Sequence, residues 1–166
     1  MLKQIKTLFL ATAVFGLSAC GFHFQNGELI PQELKNLVFE SSDPYSEMSM
    51  AMRRQLQANN INLIVEAKPD LPVLRINKLT AKDEVASIFK RGREAEKILM
   101  LEIEATVRLH GQQYPLYVKV NRTFFDNSRA ALAKAAERDV IWNDMREQAA
   151  RQLMTKMIAL QHQIDR

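Results

Sequence analysis

Leu99–Leu109 reads LMLEIEATVRL and carries the clearest strand signal in the chain. Successive side chains of a strand point to opposite faces, so strict alternation predicts a strand with one buried and one polar face. The apolar set is Leu99, Leu101, Ile103, Ala105, Val107 and Leu109, and the polar set is Glu102, Glu104, Thr106 and Arg108. The stretch therefore predicts the central strand of a sheet whose second face meets water.

Extended segments lie on both sides of this strand. Leu74, Ile76 and Leu79 alternate with polar residues before it, and the extension continues through 85–89 to a turn at 90–93, where Gly92 can supply a positive φ. After a second turn at 110–113, the chain alternates again from Leu116 to Phe124–Phe125. Two shorter strands are predicted at 37–42 and 61–65.

Helical spacing appears in two places. Asp43 followed by Pro44 is typical of a helix start, and the predicted helix over 45–58 buries a stripe of Met48, Ala51, Met52 and Leu56. Near the end of the chain, apolar residues at helical spacing predict one long amphipathic helix. They are Ile141, Met145, Ala149, Leu153, Met157, Leu160 and Ile164.

This order of elements predicts an α+β two-layer sandwich, with two helices packed on one face of a mainly antiparallel four-stranded sheet. The other face is expected to be polar and either solvated or in contact with a polar partner. We assign to it Glu102, Glu104, Arg108, Lys119 and Arg122.

The first twenty residues have the layout of a secretory leader. Lys3 and Lys6 precede an apolar run from Leu8 to Leu17, and small residues follow. Leu17-Ser18-Ala19-Cys20 is similar to the lipobox of bacterial lipoproteins, in which the cysteine is acylated after cleavage. We therefore expect a leader over 1–19 and one lipid-anchored domain over 20–166. A free thiol at Cys20 in an ordinary signal anchor is the alternative.

Charge and cysteine content narrow the function classes. The chain has 23 basic and 19 acidic residues, and loss of the leader lysines leaves 21 against 19. This small excess does not favour nucleic-acid binding, which needs a basic patch or stripe. Cys20 is the only cysteine, so its acylation leaves no disulfide and packing alone must stabilise the domain.

No catalytic or metal-binding motif is present in the sequence. His23, His110 and His162 lie on separate predicted elements and lack metal-ligand spacing, and no phosphate-binding or nucleophile motif occurs. We therefore expect neither an enzyme nor a metal or cofactor. A small hydrolase whose acid/base pair forms only in three dimensions is the remaining enzymatic alternative.

Two basic features are candidates for binding. Lys90, Arg91 and Arg93 stand within four residues beside Phe89, a combination that suits a ligand with phosphates and acyl chains. Lys134 follows the Phe124–Phe125–Asp126 strand end and is expected to project at one end of the sheet. The alternative for each is a solvated turn or an exposed helix start.

Several segments resemble the LptE family of lipopolysaccharide-assembly lipoproteins. The matches are Leu17-Ser18-Ala19-Cys20-Gly21-Phe22-His23-Phe24, Ser87-Ile88-Phe89, Arg122-Thr123-Phe124-Phe125-Asp126-Asn127 and Ala131-Leu132-Ala133-Lys134. Ser128 departs from the proline expected after Asn127. The resemblance spans nearly the whole mature chain in the same element order.

The resemblance implies a function and partners. Family members plug the outer-membrane β-barrel LptD, help it assemble and bind lipopolysaccharide, which the complex places in the outer leaflet. Cys20 would carry the lipid anchor, with palmitate among its acyl chains, and Gly21 in place of Asp favours the outer membrane. Lys90, Arg91, Arg93 and Lys134 are predicted to contact lipid A or core phosphates. The alternative is a non-enzymatic scaffold or adaptor lipoprotein of another envelope complex.

Overall fold

The computed structural model describes residues 30–65, 70–88, 94–127 and 130–160. Phe22 and Phe24 alternate with His23 and predict a further strand, which, like Ile164, lies outside these ranges. A short 3-10 helix at Gln32–Leu34 precedes the other elements. These are β1 (Asn36–Ser41), α1 (Glu47–Ala58), β2 (Asn62–Leu63), β3 (Val73–Ile88), β4 (Glu94–Leu109), β5 (Gln112–Asn127) and α2 (Ala131–Ala159).

The strands form one five-stranded sheet in the order β2-β1-β3-β4-β5. The α+β class and the two helices are confirmed, but the four-stranded antiparallel description is wrong in strand number and partly in direction. β1 runs parallel to both β2 and β3, whereas β3, β4 and β5 form antiparallel pairs. A parallel pair needs a crossover connection, and α1 supplies it between β1 and β2.

Three long strands dominate the sheet. β3, β4 and β5 each span 16 residues, and β4 and β5 pair without interruption from Glu94–Asn127 to Leu109–Gln112. His110 and Gly111 join them with φ values of 49° and 78°, the positive values that a tight two-residue hairpin turn requires. β3 is one continuous strand with register shifts at Ile76/Lys78 and Val85/Ser87.

The core lies on one face of the sheet, as the alternation in β4 predicts. Leu99, Leu101 and Ile103 are at most 1% exposed, and they share a hydrophobic cluster with both helices. Leu79 is an exception to the prediction, because its side chain is 43% exposed. β1 stops pairing with β3 at Ser41–Ile76, three residues before Leu79, so the core narrows there.

Helix α1 begins later than predicted. Ser46 is its N-cap and its Oγ accepts a hydrogen bond from the Ser49 N–H at 3.3 Å, whereas Asp43 lies in the turn before it. The Ser49 side chain is fully buried, and its hydroxyl lies 2.7 Å from the Asp43 carbonyl oxygen. The turn at Asp43 is therefore tied to the helix by hydrogen bonds. The predicted stripe of α1 is buried as expected.

Helix α2 is packed along its second half. Its buried residues run from Met145 to Met157, and Leu160 just after the helix is 4% exposed. In the first ten residues, Leu132 is 90% exposed and Val140 is 70% exposed. The two helices are also joined by ion pairs, Arg54 with Glu147 and Arg146 with Glu47.

Arg122 faces the helices, and its assignment to the polar face is wrong. It pairs with Leu99 across β4 and β5, and directly paired residues share a face. Its guanidinium lies 3.3 Å from the Asp144 carboxylate and donates a hydrogen bond to Gln148, both on α2. Arg122 therefore joins the sheet to the last helix rather than meeting solvent or a partner on the far face.

Candidate functional site

The predicted basic segment connects β3 with β4 at one end of the sheet. The last described pair there is Ile88–Ala95, and residues 89–93 connect these two strands. Lys90, Arg91 and Arg93 therefore lie outside the described residues, as does Cys20. Of the predicted site residues, the structure describes Lys134.

Lys134 lies in the first turn of α2 and is 24% exposed. Its ammonium stands 5.4 Å from the centroid of the Phe124 ring, close enough for a cation–π contact, and 2.8 Å from the Glu137 carboxylate. Lys134 thus lies over the end of β5, although its side chain rests on the sheet more than it projects from it.

Phe124 links Lys134 to the described ends of β3 and β4. It is 2% exposed and pairs with Lys97 of β4, which is three residues from the start of that strand at Glu94. Three strand residues span about 10 Å, so the ammonium group of Lys134 and the ends of β3 and β4 belong to one region of the surface. We call this region, made of Lys97, Phe124, Asp126 and Lys134, the strand-end site.

Lys97 is a further cation of the strand-end site, and our sequence reasoning did not single it out. Its ammonium lies 2.8 Å from the Asp126 carboxylate on β5 and 3.9 Å from the Asp83 carboxylate on β3. Lys97 thereby links β4 to its two neighbours, β3 and β5, near the end of β3. The sequence does contain a clue to its position, because Lys97 lies two residues before Leu99 and so falls on the same face of the strand as Leu99 and Leu101.

The start of α2 is suited to an anion. Its N-cap is Ala130, which makes no side-chain hydrogen bond to the helix, and its first turn contains no acidic residue. Backbone N–H groups at a helix start lack intrahelical partners, and the helix dipole favours negative charge there. Lys134, which forms an ion pair with Glu137, adds a positively charged group at this end.

The polar face of the sheet carries both signs of charge in ion pairs. Lys119 donates a hydrogen bond to the Glu102 carboxylate at 2.8 Å, which lowers the pKa of Glu102 and raises the pKa of Lys119. Lys78 lies 3.6 Å from Glu104 on the same face. Exposed pairs of this kind contribute little to stability, so the face is a hydrated surface available for polar contacts.

Two large aromatic side chains stand on this polar face. Tyr117 is 49% exposed and Phe125 is 54% exposed, and their Cα partners Glu104 and Glu96 point to the same side. Aromatic residues among charged ones are enriched in protein interfaces. The composition of the face therefore fits contact with a polar, hydrated partner.

A groove of about 550 Å³ opens where β1 leaves β3. It is lined by residues that include Ser41, Ser42, Pro44, Arg75 and Asn77.

Within the described residues, no cluster of three His, Cys, Asp or Glu side chains could hold a metal ion. No helix in that part of the chain combines the length and apolar character that crossing a bilayer requires.

The fold is a two-layer α+β domain with a charged sheet face, and the strand-end site places two lysines beside a buried aromatic ring at one end of the sheet. The profile of the LptE family, described as "Lipopolysaccharide-assembly", matches residues 34–157. The chain belongs to the LptE family, and the resemblance inferred from its motifs is confirmed.

Relatives and solved structures agree with this assignment. The LPS-assembly lipoprotein LptE of Yersinia pestis (strain Pestoides F) is 43% identical over 162 residues, covering 96% of this chain and 78% of the relative. The crystal structure of rare lipoprotein B from Shewanella oneidensis is 31% identical, with a TM-score of 0.72 over 79% of this chain and 99% of that one. A minor lipoprotein from Acinetobacter baumannii is 16% identical, with a TM-score of 0.65 over 79% of this chain and 96% of that one, which shows a shared fold.

Proposed function

We propose that this protein is an outer-membrane lipoprotein that works with the β-barrel LptD to assemble lipopolysaccharide at the cell surface. Family membership supports the role in lipopolysaccharide assembly. The leader over 1–19 and the lone Cys20 support a lipid anchor that leaves the domain over 20–166 on the periplasmic side. LptD is the partner that the family resemblance implies.

The polar sheet face supports a position inside a hydrated barrel lumen. Paired charges such as Glu102 and Lys119 need no apolar partner surface and tolerate bridging water. Tyr117 and Phe125 provide amphipathic and apolar contacts on the same face. A plug and assembly factor for a barrel requires this kind of surface, and a membrane-inserted protein does not.

The observation that carries the lipopolysaccharide-binding proposal is the position of Lys134 over Phe124, beside an uncapped helix start. Lys90, Arg91 and Arg93 belong to the segment that joins β3 to β4, and we propose that they act together with Lys134 on one ligand. Lysine and arginine bind phosphate through charge-assisted hydrogen bonds. We propose that these four residues contact the phosphates of lipid A or of the core.

Replacing Lys90, Arg91, Arg93 and Lys134 together by alanine is expected to weaken lipopolysaccharide binding by about tenfold or more, because each charge-assisted bond is worth about 1.5–3 kcal/mol. The free energy of unfolding is expected to fall by less than about 1.5 kcal/mol, since an exposed ion pair and one cation–π contact are lost. Titration of the purified chain with lipopolysaccharide and urea denaturation measure the two quantities.

A matched control removes the same numbers of lysines and arginines elsewhere. Lys35, Arg108, Arg151 and Lys156 are exposed or half-buried and lie away from the strand-end site. Their alanine variant has the same net charge as the binding variant and should retain wild-type affinity. Equal affinity in both quadruple variants and the wild type would show that phosphate recognition lies elsewhere.

A further inference from the structure

Within the described residues, the far half of β3 has a free edge. β1 pairs with β3 from Val38–Val73 to Ser41–Ile76, and β3 continues to Ile88. Among the described residues, no strand lies beside 77–88 on the side away from β4. Alternate backbone N–H and C=O groups of this segment therefore lack a sheet partner.

Two apolar side chains along this edge are also uncovered. Leu79 is 43% exposed and Val85 is 56% exposed. Both side chains nevertheless lie on the face of the sheet that the helices cover elsewhere. Ile103, the partner of Leu79 on β4, is fully buried on that face. The helices thus cover the central strand at this level and leave the outer strand open.

The groove of about 550 Å³ lies where this free edge begins, next to Asn77. It occupies the position at which a strand continuing the line of β1 would enter, so the first residue of an added strand would find open space. The register shifts at Ile76/Lys78 and Val85/Ser87 bound a regular window at Lys78–Val85. We call this window the open edge.

The occupant of the open edge has to be an extended polypeptide, because only a polypeptide offers backbone donors and acceptors at strand spacing. A second copy of this chain is a poor occupant. Antiparallel self-pairing centred on Lys82 sets two ammonium groups directly opposite, and pairing centred on Asp83 sets two carboxylates opposite. Pairing centred on Ala81 places Leu79 against Asp83.

We propose that the open edge binds an extended segment of a partner protein by strand addition. The side chains of the edge define the chemistry of that segment, which needs apolar residues opposite Leu79 and Val85. Asp83, whose neighbour Lys97 lies 3.9 Å away, favours a basic residue opposite it, and Lys82, which pairs with Glu84 at 3.1 Å, favours an acidic one. This interaction uses none of the four cations proposed to contact phosphate, so either proposal can fail without the other.

The probe is a fluorescein-labelled peptide, Val-Lys-Lys-Glu-Val-Thr-Val, written to run antiparallel from Val85 to Leu79. Fluorescence anisotropy with the full chain in detergent measures its binding. A control peptide of the same sequence carries N-methyl groups on alternate residues, so it keeps the side chains and loses edge hydrogen bonds. We expect the control to bind at least about tenfold more weakly, because backbone hydrogen bonds supply most of the affinity in strand addition.

Two matched variants of the chain test whether the peptide binds at the open edge. L79Q/V85Q should weaken binding by about tenfold, because the apolar contacts are lost. L132Q/V140Q changes one leucine and one valine that are more exposed and lie on α2, at 90% and 70% exposure, and it should leave binding unchanged. Hydrogen exchange of the full chain should show added protection of alternate amides within 78–85 when the peptide is bound.

Four results would overturn the proposal. They are equal binding of the N-methylated peptide, equal binding by L79Q/V85Q, protection of the same amides in the free chain, and no binding at about 1 mM peptide. Protection in the free chain would assign the edge to another segment of this chain. Protection that grows with protein concentration, together with a dimer in sedimentation, would assign it to a second copy.

Discussion

Leu153→Ala is expected to lower the free energy of unfolding by about 3 kcal/mol, a large fraction of the roughly 5–15 kcal/mol that a domain has. Leu153 is fully buried in the second half of α2 and belongs to the cluster that joins both helices to the sheet. Its truncation removes apolar contacts and leaves a cavity that a sheet of long strands cannot close. Urea denaturation followed by circular dichroism measures the loss as a lower midpoint at unchanged slope.

Leu132→Ala is the matched control on the same helix. Leu132 is 90% exposed in the first turn of α2, so its replacement should change the free energy of unfolding by less than about 0.5 kcal/mol. A loss of similar size at both positions would contradict the packing described here, in which α2 is anchored by its second half.

Cys20→Ala is expected to abolish membrane attachment of the isolated chain. Each buried methylene of an acyl chain contributes about 0.8 kcal/mol, and several chains on one residue make an anchor that does not release. The variant should be exported with a leader that lacks the lipobox, so that processing still occurs. Flotation with phospholipid vesicles should carry the wild-type chain to the top of the gradient, with at least about a hundredfold less of the variant.

The mass of the mature wild-type chain provides a second readout of the same prediction. Acylation at Cys20 adds a diacylglycerol and an amide-linked acyl chain, with palmitate expected among them. An unmodified cysteine in the mature chain, or equal flotation of the Cys20→Ala chain, would contradict the lipid anchor. The domain over 20–166 would then reach the membrane through a partner alone.

The regular parts of the fold were predictable because their sequence periods are strong. Alternation in Leu99–Leu109 gives the central strand and its buried face, and the spacing from Met145 to Met157 gives the packed part of α2. The sequence predicts a strand at 61–65, but only Asn62 and Leu63 form β2, and two residues are too few to show a period that fixes its bounds. The parallel pairing of β1 depends on contacts distant in sequence, which local patterns do not contain.

Two residues show why burial is harder to predict than strand phase. In the alternation of β5, Arg122 falls on the buried face, but its charge led us to predict a solvent-exposed side chain. Its partners Asp144 and Gln148 lie on α2, more than twenty residues away in sequence. Leu79 is apolar in a strand, yet it is exposed because β1 ends before it. Both outcomes depend on which element lies above the residue.

The candidate site was predictable in part. The family resemblance indicated Lys134, and the structure adds its contact with Phe124 and the uncapped helix start beside it. Lys97 was missed because its carboxylate partners come from two other strands, Asp83 and Asp126, that converge only in the folded sheet. The open edge of β3 is likewise a property of the topology and has no signature in the local sequence.

The most direct test of the central claim is the set of proteins that accompanies this chain in the outer membrane. The tagged full-length chain should be purified from outer membranes in a mild detergent, and its partners identified by mass spectrometry. A large β-barrel in one-to-one ratio, together with lipopolysaccharide, is the result that we predict. Recovery of the chain alone, or with a different envelope complex, would contradict the barrel-plug function and favour an adaptor role.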